Sequence, residues 1–372
     1  MLKAGGRTPR TPLEQQVHAY FTDVLNTSAP LSIDDGFFDH GGHSLLAARL
    51  TNRISTTLGV TLTLRDVFQH PTPATLAQRI ETLRQSAPQA PARARAGAAP
   101  PHPRAGTEFF MSHDQYDATP APDDVVWDLP GEGPQRTSLL VLPHAGGNAH
   151  AYAEWRAYLP ADVRLLIGQY PGRGARFAED LPRDVTDLAG PVVAALPAGA
   201  TDDLVVLGHS MGSLVAFEVV RALQASGRTP RALVASACRA PYLANPCAVY
   251  PERLDDDELV AAIKERGGTD DGILDEPELR EIILPSIRAD FAIDDVYRCE
   301  ESAARVDCPV TVIGGDADPV APAASLGRWA QITDHAFASY VLPGGHFYFQ
   351  QQLPEFFAVL AQVVGAPATA AV

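Results

Sequence analysis

Lysine is almost missing from the chain: only Lys3 and Lys264 occur, and arginine carries nearly all the positive charge. The 29 Lys and Arg face 45 Asp and Glu, which leaves a formal charge of −16. No basic stripe is available to neutralise phosphates, so nucleic acid is excluded as a partner class. The acidic excess reads as surface that keeps the chain in solution. Cysteine is scarce as well. Cys238, Cys247, Cys299 and Cys308 show no C-x-x-C spacing and no accompanying histidine pattern, so no metal site is expected. Small buried thiols in a reduced, cytoplasmic protein are the expectation. No N-terminal apolar segment and no run long enough to span a bilayer occur, which disfavours secretion and membrane insertion.

With 372 residues, 46% of them hydrophobic, two or three domains can each bury a core. Composition divides the chain into three zones. Residues 11–84 are helical in pattern. Thr11-Pro12-Leu13-Glu14 is a capping box with proline at the first helical position. Leu13, Val17, Tyr20, Phe21, Val24 and Leu25 then recur on one helical face. Further helices are expected after Ser44, ending near Gly59, and after Thr72-Pro73, with a short turn at Val67-Phe68 between them. The simplest architecture is a small all-α four-helix bundle.

Residues 85–134 are rich in Pro and Ala and read as a semi-extended linker with an r.m.s. span of roughly 40 Å. Its aromatics, Phe109, Phe110, Tyr116 and Trp127, are expected to pack on a neighbouring domain. Over residues 135–368, apolar runs at 139–142, 164–168, 204–208, 232–236, 309–313 and 339–342 alternate with helical patterns. That alternation predicts a parallel sheet covered on both faces. It lapses at about 241–307, where two helical stretches suggest a lid.

Gly208-His209-Ser210-Met211-Gly212 lies between a predicted strand and a predicted amphipathic helix. G-x-S-x-G in that context is the nucleophile elbow of an α/β-hydrolase domain. A serine hydroxyl needs a base, and His346, after the last predicted strand, stands where that topology puts it. The orienting acid is expected after the 309–313 strand, where Asp318 is the choice and Asp316 the open alternative. The oxyanion hole is expected from the N–H groups of Met211 and of Ala145, in Pro143-His144-Ala145-Gly146-Gly147. His144 reads as structural. Far upstream, Asp39-His40-Gly41-Gly42-His43-Ser44-Leu45 sets a second serine at a predicted helix start, a favourable place for a phosphodiester. His40 and His43 read as loop residues.

Phe37-Phe38-Asp39-His40-Gly41-Gly42-His43-Ser44-Leu45-Leu46 resembles the peptidyl carrier domains of nonribosomal peptide synthetases. The resemblance implies 4′-phosphopantetheine on Ser44, installed by a phosphopantetheinyl transferase, and loading by adenylation or other synthetase modules. The later zone resembles the thioesterases of the same assembly lines, and within them the type II editing branch. That likeness rests on Pro143–Gly147, on Tyr170-Pro171-Gly172-Arg173-Gly174-Ala175-Arg176 and on Pro285-Ser286-Ile287-Arg288-Ala289-Asp290-Phe291. Terminal thioesterases commonly carry the triad acid where this chain has Ser236-Ala237-Cys238-Arg239, which holds no acid. The resemblance implies a serine thioesterase that hydrolyses an aminoacyl or peptidyl thioester held on a carrier. Macrocyclising release, or a carrier and docking module with minor editing activity, stays open.

Overall fold

The computed structural model describes residues 7–25, 27, 30–42, 44–60, 62–86, 125–200, 202–267, 274–275 and 277–365. Helices α1 (Pro12–Leu25), α2 (Ser44–Leu58), α3 (Leu64–Gln69) and α4 (Pro73–Ser86) come first. The starts of α1 and α3 have a local cause. Glu14 N–H donates to Thr11 Oγ1 at 3.0 Å, and the Glu14 carboxylate accepts the Thr11 N–H at 3.1 Å. At α3 the same reciprocal pair joins Thr63 and Asp66. The Asp66 carboxylate also receives Arg79 Nε of α4 at 2.6 Å, which ties the two helices together. Val17, Phe21, Phe37, Leu50, Ile54, Val67, Leu76 and Ile80 form one buried cluster. Within it Phe37 meets Phe21 and Phe38 edge-on, with ring centroids 5.2 and 5.4 Å apart.

The second part is a seven-stranded sheet in the order β1-β3-β2-β4-β5-β6-β7. Its strands are β1 (Val126–Leu129), β2 (Thr137–Leu142), β3 (Val163–Gly168), β4 (Leu204–His209), β5 (Ala232–Ser236), β6 (Val310–Gly315) and β7 (Phe337–Leu342). All neighbours run parallel except β1, which pairs antiparallel with β3 at one edge. Successive side chains of a strand point to opposite faces, and both faces here are apolar. Leu140, Leu142 and Val206 pack with α5 (Val185–Ala195) and α6 (Met211–Ala225). Leu139, Val141, Val205 and Leu207 pack on the other side with Trp155 and with Phe356 and Leu360 of the C-terminal helix (Leu353–Gly365).

Between β5 and β6 lie α7 (Asp256–Arg266) and α8 (Pro277–Val296), so the C-terminal helix is α9. Leu279 and Ile282 of α8 join the buried cluster of α1–α4, and Phe177 stands 5.2 Å from Phe68 across the same contact. The first helices therefore rest on the insertion and on the loop after β3.

The linker expected over 85–134 is corrected at both ends, since α4 runs to Ser86 and β1 begins at Val126. Trp127 sits in β1 and packs against the α9 side of the core. Four residues at a sheet edge, two of them only half-buried, leave too short an alternation to recognise. Phe109, Phe110 and Tyr116 lie outside the described residues. Phe37→Ala is expected to destabilise the chain by about 3–5 kcal/mol. Urea unfolding followed by circular dichroism checks this, and a loss below about 1 kcal/mol would contradict the packing described.

Candidate active site

Strand β4 ends at His209 and α6 begins at Met211, so Ser210 alone makes the turn between them. Its backbone has φ 55° and ψ −128°, outside the regions an L-residue ordinarily occupies. Two glycines make the turn sterically open. A Cβ on Gly208 would stand 2.0 Å from the Gly212 carbonyl oxygen, and one on Gly212 would stand 2.1 Å from that of Leu142. The strained backbone is held by hydrogen bonds to its neighbours. Ser210 N–H donates to the Ser236 carbonyl at 2.8 Å. Ser213 Oγ donates to the Gly208 carbonyl at 2.8 Å and accepts the Ser236 N–H at 3.1 Å.

Three sequence-predicted residues meet at this turn. His346 Nε2 lies 2.8 Å from Ser210 Oγ, and its Nδ1 lies 2.9 and 3.1 Å from the two carboxylate oxygens of Asp318. The tautomer with the proton on Nδ1 satisfies both contacts, leaving Nε2 to accept the serine proton. His346 and Asp318 are only 5% and 4% exposed. Burial alone would raise the Asp318 carboxyl. The hydrogen bond and charge of His346 and the N–H groups of Ala321 and Val320 outweigh burial and hold it below the usual carboxylate range. Asp316, the alternative, instead accepts the Gly344 N–H at 2.9 Å and braces the loop that carries His346. Met211 opens α6 directly after Ser210, while Ala145 and Ser210 line one cleft of about 490 Å3 that is open to solvent.

His144 is not isolated. Its Nδ1 lies 2.7 Å from Tyr152 Oη. His209 Nδ1 lies 2.9 Å from Ser236 Oγ, which in turn lies 2.7 Å from Tyr348 Oη. Both rings are held neutral. Burial, then the charges of His346 and Arg173, push His144 down to about 3, and burial pushes His209 well below its ordinary value. His209 Nε2 has no hydrogen-bond partner among the described residues, which fits a bare, unprotonated nitrogen. The spacing in the sequence carries no signal for these partners, which tertiary packing alone sets against the two imidazoles.

Ser44 is the first residue of α2, a 15-residue helix. Gly41, just ahead, has φ 87° and ends a short helical turn, Phe38–His40. His43 lies outside the described residues. The N-terminal end of α2, where Ser44 stands in the chain, is the positive end of the helix dipole, a setting that favours an anionic group. No helix among the described residues is long and apolar enough to cross a membrane, and no group of acidic, His and Cys residues among them has the makings of a metal site.

Residues 137–362 match the family described as "Thioesterase domain", and residues 15–80 match "Phosphopantetheine attachment site". The chain is 39% identical over 219 residues to thioesterase PikA5 of Streptomyces venezuelae, covering 58% of this chain and 77% of that protein. It is 29% identical over 356 residues to phenyloxazoline synthase MbtB of Mycobacterium tuberculosis, covering 93% of this chain and 24% of that relative. Among solved structures, the type II thioesterase YbtT of the yersiniabactin NRPS/PKS pathway superposes with a TM-score of 0.60 at 29% identity, covering 65% of this chain and 98% of its own.

The two neutral imidazoles each make stability fall with falling pH. An unfolded histidine takes up its proton near 6.5, whereas folded His144 refuses it down to about 3. In that window the unfolded state binds more protons, so stability falls as the pH drops. Between pH 6.5 and 5.5 the loss is roughly 1 kcal/mol for His144, and His209 adds a loss of the same sign. His144→Gln is expected to remove one share from the pH dependence of urea unfolding. An unchanged dependence would contradict the neutral assignment.

Proposed function

The chain belongs to the thioesterase family and carries a phosphopantetheine attachment domain ahead of that fold, and from this premise we propose how it frees its acyl group. The acyl group is held as a thioester on a carrier, and Ser210 releases it by hydrolysis through an acyl-enzyme. The observation that carries this reading is the line from Ser210 Oγ through His346 to Asp318, at 2.8 and 2.9 Å. The arm on Ser44 supplies the thiol to which cargo is attached. Ser210 Oγ attacks the thioester carbonyl as His346 Nε2 takes its proton. The N–H groups of Ala145 and Met211 receive the oxyanion, helped by the N-terminal end of α6. His346 then gives the proton to the departing sulfur. It next takes a proton from water, whose oxygen attacks the acyl-serine and frees the acid. Asp318 holds the imidazole in the productive tautomer and stabilises its charged form.

The helices from α1 to the end of α4 at Ser86 form the carrier domain and the fold from Val126 of β1 onward the hydrolase domain, with the helices at 241–307 acting as a lid. The polar wall of the cleft favours an aminoacyl or short peptidyl cargo. Asn245, Arg266 and Asp294 line it together with Ile263, Ile287 and Phe291. Asp294 is bound there by Arg239 at 3.0 Å and by Asn245 at 3.1 Å, so the wall keeps its polar groups satisfied. A phosphopantetheinyl transferase and adenylation or other synthetase modules prepare the loaded carrier in the cytoplasm. Tethering raises the local substrate concentration to roughly millimolar where the linker spans the two sites.

A small thioester separates the roles. Ser210→Ala is expected to abolish turnover, and Asp318→Asn to lower kcat by roughly 10^3–10^4-fold through loss of the correct tautomer. Asp316→Asn keeps an oxygen facing Gly344 and is expected to stay within a few-fold of the parent chain. Equal losses in the two aspartate variants would overturn the assignment of Asp318.

A further inference from the structure

Residues 144–147 form a turn in which the Gly147 N–H donates to the His144 carbonyl at 2.8 Å. Gly146, its third residue, has φ +77°, the value of a type II turn. Types I and II differ by a flip of the central peptide, here the one joining Ala145 to Gly146. The group that such a flip would turn is pinned. Gly146 N–H donates to Asp290 Oδ2 of α8 at 2.7 Å. After a flip, the Ala145 carbonyl would face that carboxylate, and the two would repel.

The other side of the turn is held by a partner of opposite charge. Arg173, in the loop after β3, donates through Nη1 to the Gly147 carbonyl at 3.0 Å. The same guanidinium grips Asp290 with two hydrogen bonds, of 2.6 and 2.9 Å. Asp290 is fully buried and Arg173 is 7% exposed, so neither charge is satisfied by water. The pair therefore presents a carboxylate to the N–H of one turn residue and a guanidinium to the carbonyl of the next. Because the fork neutralises Asp290, the clamp fixes geometry without adding net negative charge beside a developing oxyanion.

We infer that Asp290 and Arg173 are positioning residues that set the direction of the Ala145 N–H. The peptide plane carrying that N–H ends in the His144 carbonyl, held by Gly147, and the next plane is held by Asp290. Both neighbours of the proposed oxyanion donor are thus fixed. Since Asp290 belongs to α8, the oxyanion site is complete only while the insertion lies over the cleft. This inference rests on the reading of Ser210 as nucleophile.

The test uses the full chain and its Asp290→Asn and Arg173→Lys variants, with an N-acetylcysteamine thioester as substrate. Two ligands are titrated beside it: a boronic acid that forms a tetrahedral adduct with Ser210, and a hydrolysis-resistant thioether analogue of the substrate. Asp290→Asn is expected to lower kcat by roughly 100-fold with KM within about threefold, as a slightly misplaced donor does. Boronate affinity falls by a similar factor while thioether affinity holds, and Arg173→Lys gives an intermediate loss. Unchanged boronate affinity in the folded variants would overturn the inference, and so would equal weakening of both ligands. Should Asp290→Asn fail to fold, Arg173→Lys decides alone, because it keeps a cation opposite Asp290; parent-like values there refute the clamp. Absence of a boronate adduct in the parent chain would instead refute the reading of Ser210.

Discussion

The turn at Ser210 is the constraint on which the rest of the site depends. A single residue must reverse the chain from the end of β4 into α6, in a backbone conformation that costs about 1–3 kcal/mol unless its surroundings impose it. The surroundings here are the ends of β2, β4 and β5. Gly208 and Gly212 let Leu142 and α6 approach closely, while the Ser236 carbonyl takes the Ser210 N–H. The strain is met by the sheet's own packing, and it sets the serine hydroxyl beside His346 at the cleft.

A second layer of buried polar groups braces the site from below. His144 with Tyr152, and His209 with Ser236 and Tyr348, pack near the His346 imidazole as neutral hydrogen-bonded rings. Low dielectric surroundings strengthen such bonds and penalise any unpaired member. The layer therefore ties the loops at 144–147 and 346–348 to the core.

Much of this was legible in the residue order, for physical reasons. β2 through β6 are buried on both faces, so each reads as a short, largely continuous hydrophobic run. The elbow reads from two glycines around a serine at a strand-to-helix boundary. β1 escaped because an edge strand with two half-buried positions has no such run. Asp318 and Asp316 are two residues apart on one loop, and only three-dimensional placement shows which meets the imidazole and which meets a backbone N–H. Arg173 and Asp290 are 117 positions apart, and their pairing is a product of tertiary packing alone. The same holds for the seating of Leu279 and Ile282 among the first four helices.

The function proposed for this chain has one molecule both hold the thioester and cleave it. Its most direct test is the intact mass of the protein over time, after Ser44 has received its arm and an aminoacyl group. Decay to the unloaded mass is expected in the parent chain, and a stable load in Ser210→Ala. A load that persists in the parent chain as long as in Ser210→Ala would contradict it.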